Sequence, residues 1–330
     1  MVKRVYIHVG MPKTGTTFLQ LQVFPKLKGV DYWQPFNHPM SYYFERFANN
    51  NYLCYPEAWK LKIREYLEAS EENIHILSYE GFFGSYKNNY KSNYTNSLLL
   101  KELFPEAKII LSIRNQIRLI ESNYSQIVTE GYVRSIYKYI NYHKGRFLNN
   151  RNESYVTLNI ESLQYDRYIR NYHEQFGASN VLVLPFEMLT RAETQYRQRL
   201  ATFLGLADIS IADSENSLGR KKSLSKNGLL VNRILNRFFI CEINNGVGFI
   251  PKQPYMFALQ RRKNNFLFAV LYFISKSMHP QFIAKKISGD KRKGETHLTL
   301  VVVQTLRDFY FTSNQKTSAL INEDLASYGY

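Results

Sequence analysis

The chain has 330 residues, of which 45% are hydrophobic and 15% are aromatic. This composition fills a folded core, so it excludes an intrinsically disordered chain and a collagen-like fibre. Lysine and arginine number 43 against 27 acidic residues, and the net charge of +16 predicts an anionic partner without identifying it.

Cysteines and long apolar runs are both scarce. Cys54 and Cys241 provide neither a disulfide framework nor the spacing of a metal site, so a reducing compartment is expected. Residues 1–10 have the pattern of a strand rather than of a secretory signal. The longest apolar run, at 266–274, is roughly half the ~20 residues of a membrane-spanning helix. We therefore expect a cytoplasmic protein, with peripheral contact at the inner face of the membrane as a second expectation.

Short apolar strands alternate with helical patterns over most of the chain. The patterns predict strands at 3–9, 73–78, 108–113 and 180–185, and helices at 16–27, 116–129, 190–204 and 297–313. This alternation predicts an α/β fold of three layers, in which helices flank a central parallel sheet. Ligands of such sheets bind at the carboxyl ends of the strands.

Positive charge is concentrated in one region, because residues 219–298 contain 16 lysines and arginines and only three acids. This region is either a solvated surface or a face for cofactor phosphates, an anionic acceptor or a membrane. We predict a single domain over 1–330. It comprises a nucleotide-binding core at 1–215, a basic and mostly helical subdomain or insertion at 216–298, and a closing helix at 299–330.

The first strand and the first helix are joined by the turn Gly10-Met-Pro-Lys-Thr-Gly-Thr-Thr17. Backbone N–H groups in such a turn converge on an anion, and the start of the helix adds partial positive charge. The hydroxyl groups of Thr14, Thr16 and Thr17 add further donors. The turn therefore predicts a phosphate-binding site.

Two glycines in this turn, Gly10 and Gly15, have the spacing of a Walker A motif. That motif requires lysine directly after the second glycine, where this chain has Thr16. The lysine lies inside the turn instead, at Lys13. Hydrolysis of ATP or GTP is therefore disfavoured, and a P-loop nucleotide kinase is a distant alternative.

The string Pro-Lys-Thr-Gly-Thr-Thr-Phe-Leu-Gln at 12–20 resembles the 5′-phosphosulfate loop of the sulfotransferases that depend on 3′-phosphoadenosine-5′-phosphosulfate (PAPS), in its bacterial, carbohydrate-type form. The resemblance implies a P-loop-NTPase-like sulfotransferase fold, PAPS as co-substrate, PAP as product and no metal. It implies that the central catalytic residue is Lys13. The loop residues implied to bind the cofactor are Pro12, Lys13, Thr14, Gly15, Thr16 and Thr17.

A second part of the family pattern follows the strand at 108–113. Arg114 ends this strand, and Ser122 lies eight positions later, a little over two helical turns. In the resembled family an arginine and a serine so spaced hold the 3′-phosphate, and arginine offers a planar fork of donors for its oxygens. A basic loop completes that site in relatives, and both Arg220-Lys221 and the tripeptide at 292–294 remain candidates here.

The resemblance also implies a general base for the acceptor hydroxyl, at Glu80. The other role open to this carboxylate is to orient Lys13 or to bind the acceptor. Small-molecule members use a histidine, but His75 lies inside the strand, and strand alternation places 75 and 80 on opposite faces. We expect His8 to be a hydrogen-bonded core histidine, and we consider His38 as a residue lining the acceptor cleft.

The leading hypothesis is a cytoplasmic enzyme that sulfates a carbohydrate, such as a surface polysaccharide or a glycolipid precursor. A small-molecule or tyrosine sulfotransferase is the alternative from the same chemistry. A nucleic-acid partner is not expected, because an anionic cofactor and acceptor account for the charge. The apolar run at 266–274, flanked by basic residues, is either a contact with anionic lipid or a buried helix.

Overall fold

The computed structural model describes residues 3–35, 37–45, 54–148, 156–209, 224–240, 243, 250–251, 280–288 and 296–330. The strands are β1 (Arg4–His8), β2 (Asp31–Trp33), β3 (Ile74–Ser78), β4 (Lys108–Ile113), β5 (Tyr142–His143), β6 (Arg146–Phe147), β7 (Val181–Pro185), β8 (Phe239–Ile240) and β9 (Ile250–Pro251). Five of them form a parallel sheet in the order β2-β3-β1-β4-β7. The predicted α/β fold with a central parallel sheet is confirmed.

The α-helices are α1 (Thr16–Phe18), α2 (Ser41–Glu45), α3 (Glu57–Ala69), α4 (Asn93–Leu103), α5 (Gln116–Glu130), α6 (Ile136–Tyr139), α7 (Tyr165–Phe176), α8 (Phe186–Arg191), α9 (Glu193–Leu204), α10 (Lys226–Asn236), α11 (Pro280–Ser288) and α12 (Leu300–Ile321). Among the described residues, none of these helices combines the length and apolar character needed to cross a bilayer.

The strand register brings several chain segments to one edge of the sheet. His8, the last residue of β1, pairs with Ser78, the last residue of β3, and with Ile110 of β4. Because all five strands are parallel, the segments after β1, β3, β4 and β7 leave from the same edge. This edge collects the phosphate-binding turn, Glu80 and Arg114, as the sequence predicts.

The sheet is buried on both faces, as its apolar strands require. Ile7, Ile76 and Ile109 are fully buried in the three central strands. On one face the helix after β1 packs with α8 and α9, and the core there includes Phe24, Met188, Leu200 and Leu204. This packing holds the first helix against the sheet and so fixes the turn that precedes it.

The first helix departs from the regular helix predicted over 16–27. It is α-helical only in α1, continues as a π-helix over Leu19–Val23, and ends as a 3₁₀-helix over Phe24–Lys26. Pro25 lacks a backbone N–H and cannot take part in an α-helical ladder there. A π-helical turn is rare and is found mostly near functional sites.

The described residues divide into two compact units. The first comprises Met1–Leu119, Ile160–Gly219 and Leu306–Tyr330, and the second comprises Ile120–Asn159 and Arg220–Thr305. The second unit therefore includes residues 120–159 as well as the predicted basic region. The interpretation of residues 1–330 as one domain stays a prediction.

Candidate active site

The turn after β1 has a backbone that few side chains tolerate. Gly15 has φ of 91°, and Lys13, although not a glycine, has φ of 70°. Left-handed backbone at a residue with a Cβ atom is strained, and such strain concentrates at functional sites. A Cβ atom at Gly10 would clash with the methyl group of Thr16. The two glycines therefore let the chain close tightly around Lys13.

The helix begins directly after this turn, and its first N–H groups point toward the turn. Gly15 is the N-cap residue, and no side chain caps the helix. The first N–H groups of a helix have no partner within it, so an uncapped start attracts an anion. The geometry supports the phosphate-binding role predicted for residues 10–17.

The threonines of the turn differ in what their hydroxyl groups do. Thr14 is buried and donates its proton to the carbonyl oxygen of Met11 at 2.5 Å. Thr16 is also buried and donates to the carboxylate of Glu80. Thr17 is exposed. Two of the three predicted donors thus have partners within the chain, and Thr14 in particular stabilises the turn itself.

Glu80 lies at the start of a 3₁₀ turn, Glu80–Phe82, after β3 has ended at Ser78. The strand alternation used to compare positions 75 and 80 therefore does not extend to Glu80. The carboxylate is half-buried and contacts Thr16, so it lies beside the start of the first helix. This position suits either a general base or a group that orients the loop.

His75 occupies a different environment from Glu80. Its side chain is fully buried, with Nδ1 3.1 Å from Oδ2 of Asp31 and Nε2 3.0 Å from the carbonyl oxygen of Glu72. Both ring nitrogens are therefore occupied by structural contacts. The imidazole of His75 anchors β3 to β2 and is not placed to exchange a proton with an acceptor.

Arg114 connects the two predicted phosphate sites. It follows β4, and its Nη1 donates to the carbonyl oxygen of Lys13 at 2.9 Å. Its guanidinium also lies over the ring of Phe186, 4.8 Å from the centroid. Burial lowers the pKa of Arg114, yet arginine stays charged at neutral pH. The Nε atom of this buried guanidinium has no hydrogen-bond partner, which is rare in folded proteins and indicates a place for an anion.

Glu187 adds a negative charge near Arg114. Its Oε1 accepts from the backbone N–H of Asn115 at 3.2 Å, and its Oε2 accepts from the hydroxyl of Tyr330 at 2.9 Å. Burial raises the pKa of Glu187, while Tyr330 and Arg114 favour its charged form. Glu187 is therefore a buried structural carboxylate in the first turn of α8. Its partner Tyr330 lies 143 positions away and could not be predicted from the sequence.

A neutral polar network lies beneath the turn. His8 is fully buried, with Nδ1 2.7 Å from the hydroxyl of Ser78 and Nε2 3.3 Å from that of Ser112. Gln20 donates to the Ser78 hydroxyl at 3.1 Å. Burial lowers the pKa of His8 to about 3, so the imidazole is neutral at physiological pH. The expected core histidine is confirmed, and it links β1, β3 and β4.

His38 is packed into an aromatic cluster rather than facing an open acceptor cleft. Its ring stacks on Trp33 at 5.2 Å, and its Nε2 lies 3.3 Å from Oδ1 of Asp31. The small cleft beside this cluster is lined by Trp33, Pro35, Ser41, Phe44, Leu77, Ser78, Tyr79 and Phe82. His38 is not among the residues that line this cleft, and its role at an acceptor cleft stays a prediction.

Only some of the remaining predicted residues lie in the part of the chain that the structure describes. Pro12 is buried beside Lys13 in the turn. Ser122 lies on α5 in the second unit, whereas Arg114 belongs to the first, so its role stays a prediction. Arg220, Lys221 and the tripeptide at 292–294 lie outside the described residues. In the part of the chain that is described, no three His, Cys, Asp or Glu side chains are grouped to hold a metal ion.

Comparisons with known proteins agree with this geometry. Residues 7–210, more than half of the chain, match the model of the "Sulfotransferase family". No curated protein sequence matches the chain significantly. Among solved structures, a sulfotransferase from Alicyclobacillus acidocaldarius is similar over 100% of both chains, with 14% identity and a TM-score of 0.52. At this identity the likeness shows a shared fold.

Two further structures are similar at lower TM-scores. Mouse sulfotransferase SULT7A1, complexed with PAP, has 14% identity and a TM-score of 0.35, covering 66% of this chain and 64% of its own. The sulfotransferase domain of the Synechococcus PCC 7002 olefin synthase has 14% identity and a TM-score of 0.33, covering 94% of this chain and 96% of its own.

Proposed function

The chain belongs to the sulfotransferase family and is a PAPS-dependent enzyme, and on this basis we propose that it sulfates a hydroxyl group of a carbohydrate and releases PAP. One observation carries the assignment of the site. Arg114 contacts the carbonyl oxygen of Lys13 and keeps a buried Nε without a partner. The two cationic residues predicted to bind opposite ends of one nucleotide are thus neighbours.

The residues of this edge suit a nucleotide with two phosphate-bearing ends. The turn at 10–17 and the uncapped helix start would hold the 5′-phosphosulfate, and Arg114 would hold the 3′-phosphate. When bound, PAPS supplies an activated sulfuryl group. The turn closes tightly because Gly10 and Gly15 carry no Cβ atom. It would therefore orient the sulfuryl group toward Lys13 and Glu80.

In the proposed reaction, Glu80 accepts a proton and Lys13 stabilises a developing negative charge. Glu80 accepts the proton of the acceptor hydroxyl as its oxygen bonds to sulfur. The bond between sulfur and the phosphate oxygen breaks in the same displacement, and its electron pair stays on that oxygen. The ammonium group of Lys13 stabilises the negative charge that develops there, so positioning and fixed charge supply most of the acceleration.

The proposal of a carbohydrate acceptor rests on the base. Glu80 is the acidic group beside the phosphate-binding turn, whereas His75 and His38 are engaged with Asp31. In the resembled family, a glutamate at this place accompanies glycan acceptors and a histidine accompanies small molecules. A phenol or a tyrosine side chain is the competing acceptor. Its sulfation would require the same PAPS-binding site.

The proposal is tested by incubating the protein with labelled PAPS and a panel of glycan, glycolipid, phenol and tyrosine-peptide acceptors. We expect label on a glycan or glycolipid, in the presence of EDTA as well. Lys13→Ala should abolish transfer, and full turnover by that variant would remove Lys13 from the mechanism. Label on phenols alone would overturn the carbohydrate acceptor while leaving the sulfotransferase assignment intact.

Binding of PAP tests the donor site independently of the acceptor. Arg114→Ala should weaken PAP binding by about 10- to 100-fold, the value of a hydrogen bond to a charged group. The affinity is measured by calorimetry, with the exposed Arg134→Ala as control. Unchanged affinity in Arg114→Ala would contradict the 3′-phosphate role. ATP with Mg²⁺ should not raise the melting temperature as PAP does, and the reverse result would favour a kinase.

A further inference from the structure

Helix α10, in the second unit, buries two amide side chains and leaves part of its apolar surface exposed. It buries Asn232 and Asn236 completely, whereas Leu230 is 50% exposed and Ile234 is 49% exposed. Surface helices normally bury their apolar stripe and expose their amides. The helix therefore buries Leu229 on its inner face but also presents apolar side chains to solvent.

Hydrogen bonds from one of the two buried asparagines, Asn236, help to hold this orientation. The side-chain amide of Asn236 donates to the carbonyl oxygen of Val128 at 2.7 Å and to that of Tyr132 at 3.2 Å. Turning the helix to bury Leu230 and Ile234 would break both bonds and leave buried polar groups unpaired, which is costly. The exposure of the apolar residues thus follows from how α10 is anchored.

The exposed residues form a continuous stripe. Leu230 and Ile234 are four positions apart and share one face of the helix. Phe238, in the turn that follows α10, is 45% exposed and extends the stripe by another four positions. A contiguous apolar stripe on a protein surface marks an interaction site more often than scattered apolar residues do.

Cationic side chains border the stripe. At 100° per residue, Lys226 and Arg237 lie within one third of a turn of Leu230, and both are exposed. The neighbouring helix α11 packs against α10 and exposes Lys285, Lys286 and Ile287, the last by 67%. Neither helix contains an acidic residue. Within these two described helices, the charged residues beside the stripe are all cationic, which is complementary to an anionic, apolar surface.

We propose that the α10 face, formed by Lys226, Leu230, Ile234, Arg237 and Phe238, docks on an anionic lipid bilayer. Leucine and isoleucine insert among acyl chains while lysine and arginine remain at the headgroups, which is the arrangement of interfacial amphipathic helices. A nucleic acid would use the cations but gain little from aliphatic side chains. The predicted apolar run at 266–274 lies outside the described residues and takes no part in this argument.

The proposal is tested by cosedimentation of the full chain with sucrose-loaded vesicles. One set contains phosphatidylglycerol and phosphatidylcholine in equal parts, and the other contains phosphatidylcholine alone. We expect binding to the anionic vesicles, reduced by high salt, and little binding to the neutral ones. The triple variant Leu230→Ser, Ile234→Ser, Phe238→Ser should lose about tenfold or more in affinity, because the buried apolar area is lost.

Two further variants make the outcome decisive. Leu61→Ser removes a leucine that is 55% exposed on α3 in the first unit, and it should bind vesicles as the parent chain does. Lys226→Gln with Arg237→Gln keeps the apolar stripe and should weaken binding to anionic vesicles several-fold. The melting temperature and the PAP affinity of the triple variant show whether it folds. If it does not fold, the charge variant alone tests whether the α10 face binds the vesicles.

Three results would overturn the proposal. The first is equal binding to anionic and neutral vesicles, and the second is undiminished binding by both α10 variants. The third is the absence of binding to anionic vesicles. Dimerisation that the triple variant abolishes, or duplex DNA binding that only the charge variant weakens, would then identify another use of the face. Transfer to a water-soluble acceptor should be unaffected by the α10 variants, which separates this inference from the proposed enzymatic function.

Discussion

Glu80 and Thr16 meet at the point where the phosphate-binding turn becomes a helix. The Thr16 hydroxyl donates to the carboxylate of Glu80, so the carboxylate is held in position while retaining lone pairs for another donor. Lys13 lies three residues before Thr16, on backbone with positive φ. The residues assigned to proton and charge transfer are thus positioned by one short segment of the chain.

Replacement of Glu80 separates its two candidate roles. Glu80→Gln retains an acceptor for the Thr16 hydroxyl but cannot take a proton. As a general base, Glu80 should contribute about 10²- to 10⁴-fold to kcat, with the affinity for PAP nearly unchanged. Single-turnover rates and PAP titration measure the two effects, and the exposed Glu65→Gln on α3 is the control. A near-normal rate would show that another group accepts the proton.

At the scale of elements, one carboxylate adds side-chain hydrogen bonds to the backbone pairing of β2 with β3. Asp31 opens β2 and accepts hydrogen bonds from Trp33 at 2.9 Å and His75 at 3.1 Å, with His38 at 3.3 Å. Burial alone would raise the pKa of Asp31, but the bonds from His38, His75 and Trp33 outweigh it and hold the pKa well below its usual range. The ionised carboxylate therefore stabilises the edge of the sheet.

The pH dependence of stability should report this carboxylate. Because its pKa is lower in the folded state, its stabilisation is present above the unfolded value of about 4 and is lost as pH falls through the folded value. Asp31→Asn should lower the free energy of unfolding at pH 7 by about 1–3 kcal/mol. It should also flatten the loss of stability below pH 4. Urea titrations at pH 7, 4 and 3 measure both, and an unchanged acid slope would contradict the role of Asp31.

Elements differed in how well the sequence predicted them. The strands β1, β3, β4 and β7 were predicted to within one residue at each end, because buried parallel strands are short apolar runs. β2 was missed, since three residues beginning with Asp31 carry no periodic signal. The helix predicted over 190–204 is divided between two helices, α8 and α9, because the backbone of Ala192 is not helical. The last helix, predicted over 297–313, runs over Leu300–Ile321.

The part of the candidate site whose residues are close together in the sequence could be predicted. The turn at 10–17 could be recognised because all its contacts form within a few residues. The contact of Arg114 with Lys13 joins positions 101 residues apart, and only the parallel sheet order brings them together. The buried partner of Glu187 could not be predicted, since hydrogen bonds between distant side chains leave no periodic pattern.

At the scale of the whole molecule, the first unit is assembled from three separate stretches of chain. Its last stretch returns to the edge of the sheet, where the hydroxyl of Tyr330 contacts Glu187, 143 positions away. Arg191 donates to the carbonyl oxygen of Ser327 at 3.0 Å, and Arg199 pairs with Glu323. These contacts bring residues 323–330 beside the segments that follow β4 and β7, which carry Arg114 and Glu187.

Removal of one hydroxyl tests this long-range closure. Tyr330→Phe leaves Oε2 of the buried Glu187 without its partner, so the free energy of unfolding should fall by about 1–3 kcal/mol. Because the hydroxyl favours the charged carboxylate, its loss raises the Glu187 pKa further, and the destabilisation should be larger at pH 8 than at pH 5. Denaturant titration measures this, with Tyr328→Phe as control. Equal stability of the parent chain and Tyr330→Phe would show that the contact is dispensable.

The hydrogen bond from Arg114 to the carbonyl oxygen of Lys13 joins the segment after β4 to the phosphate-binding turn through a single side chain. A donor that carries a 3′-phosphate would steady the guanidinium, and the guanidinium would in turn steady the backbone beneath the catalytic ammonium group. Adenosine 5′-phosphosulfate, which lacks that phosphate, would therefore be a poor substrate in turnover as well as in affinity. Selection of the donor and alignment of the reacting sulfur would be one event, because the same arginine serves both.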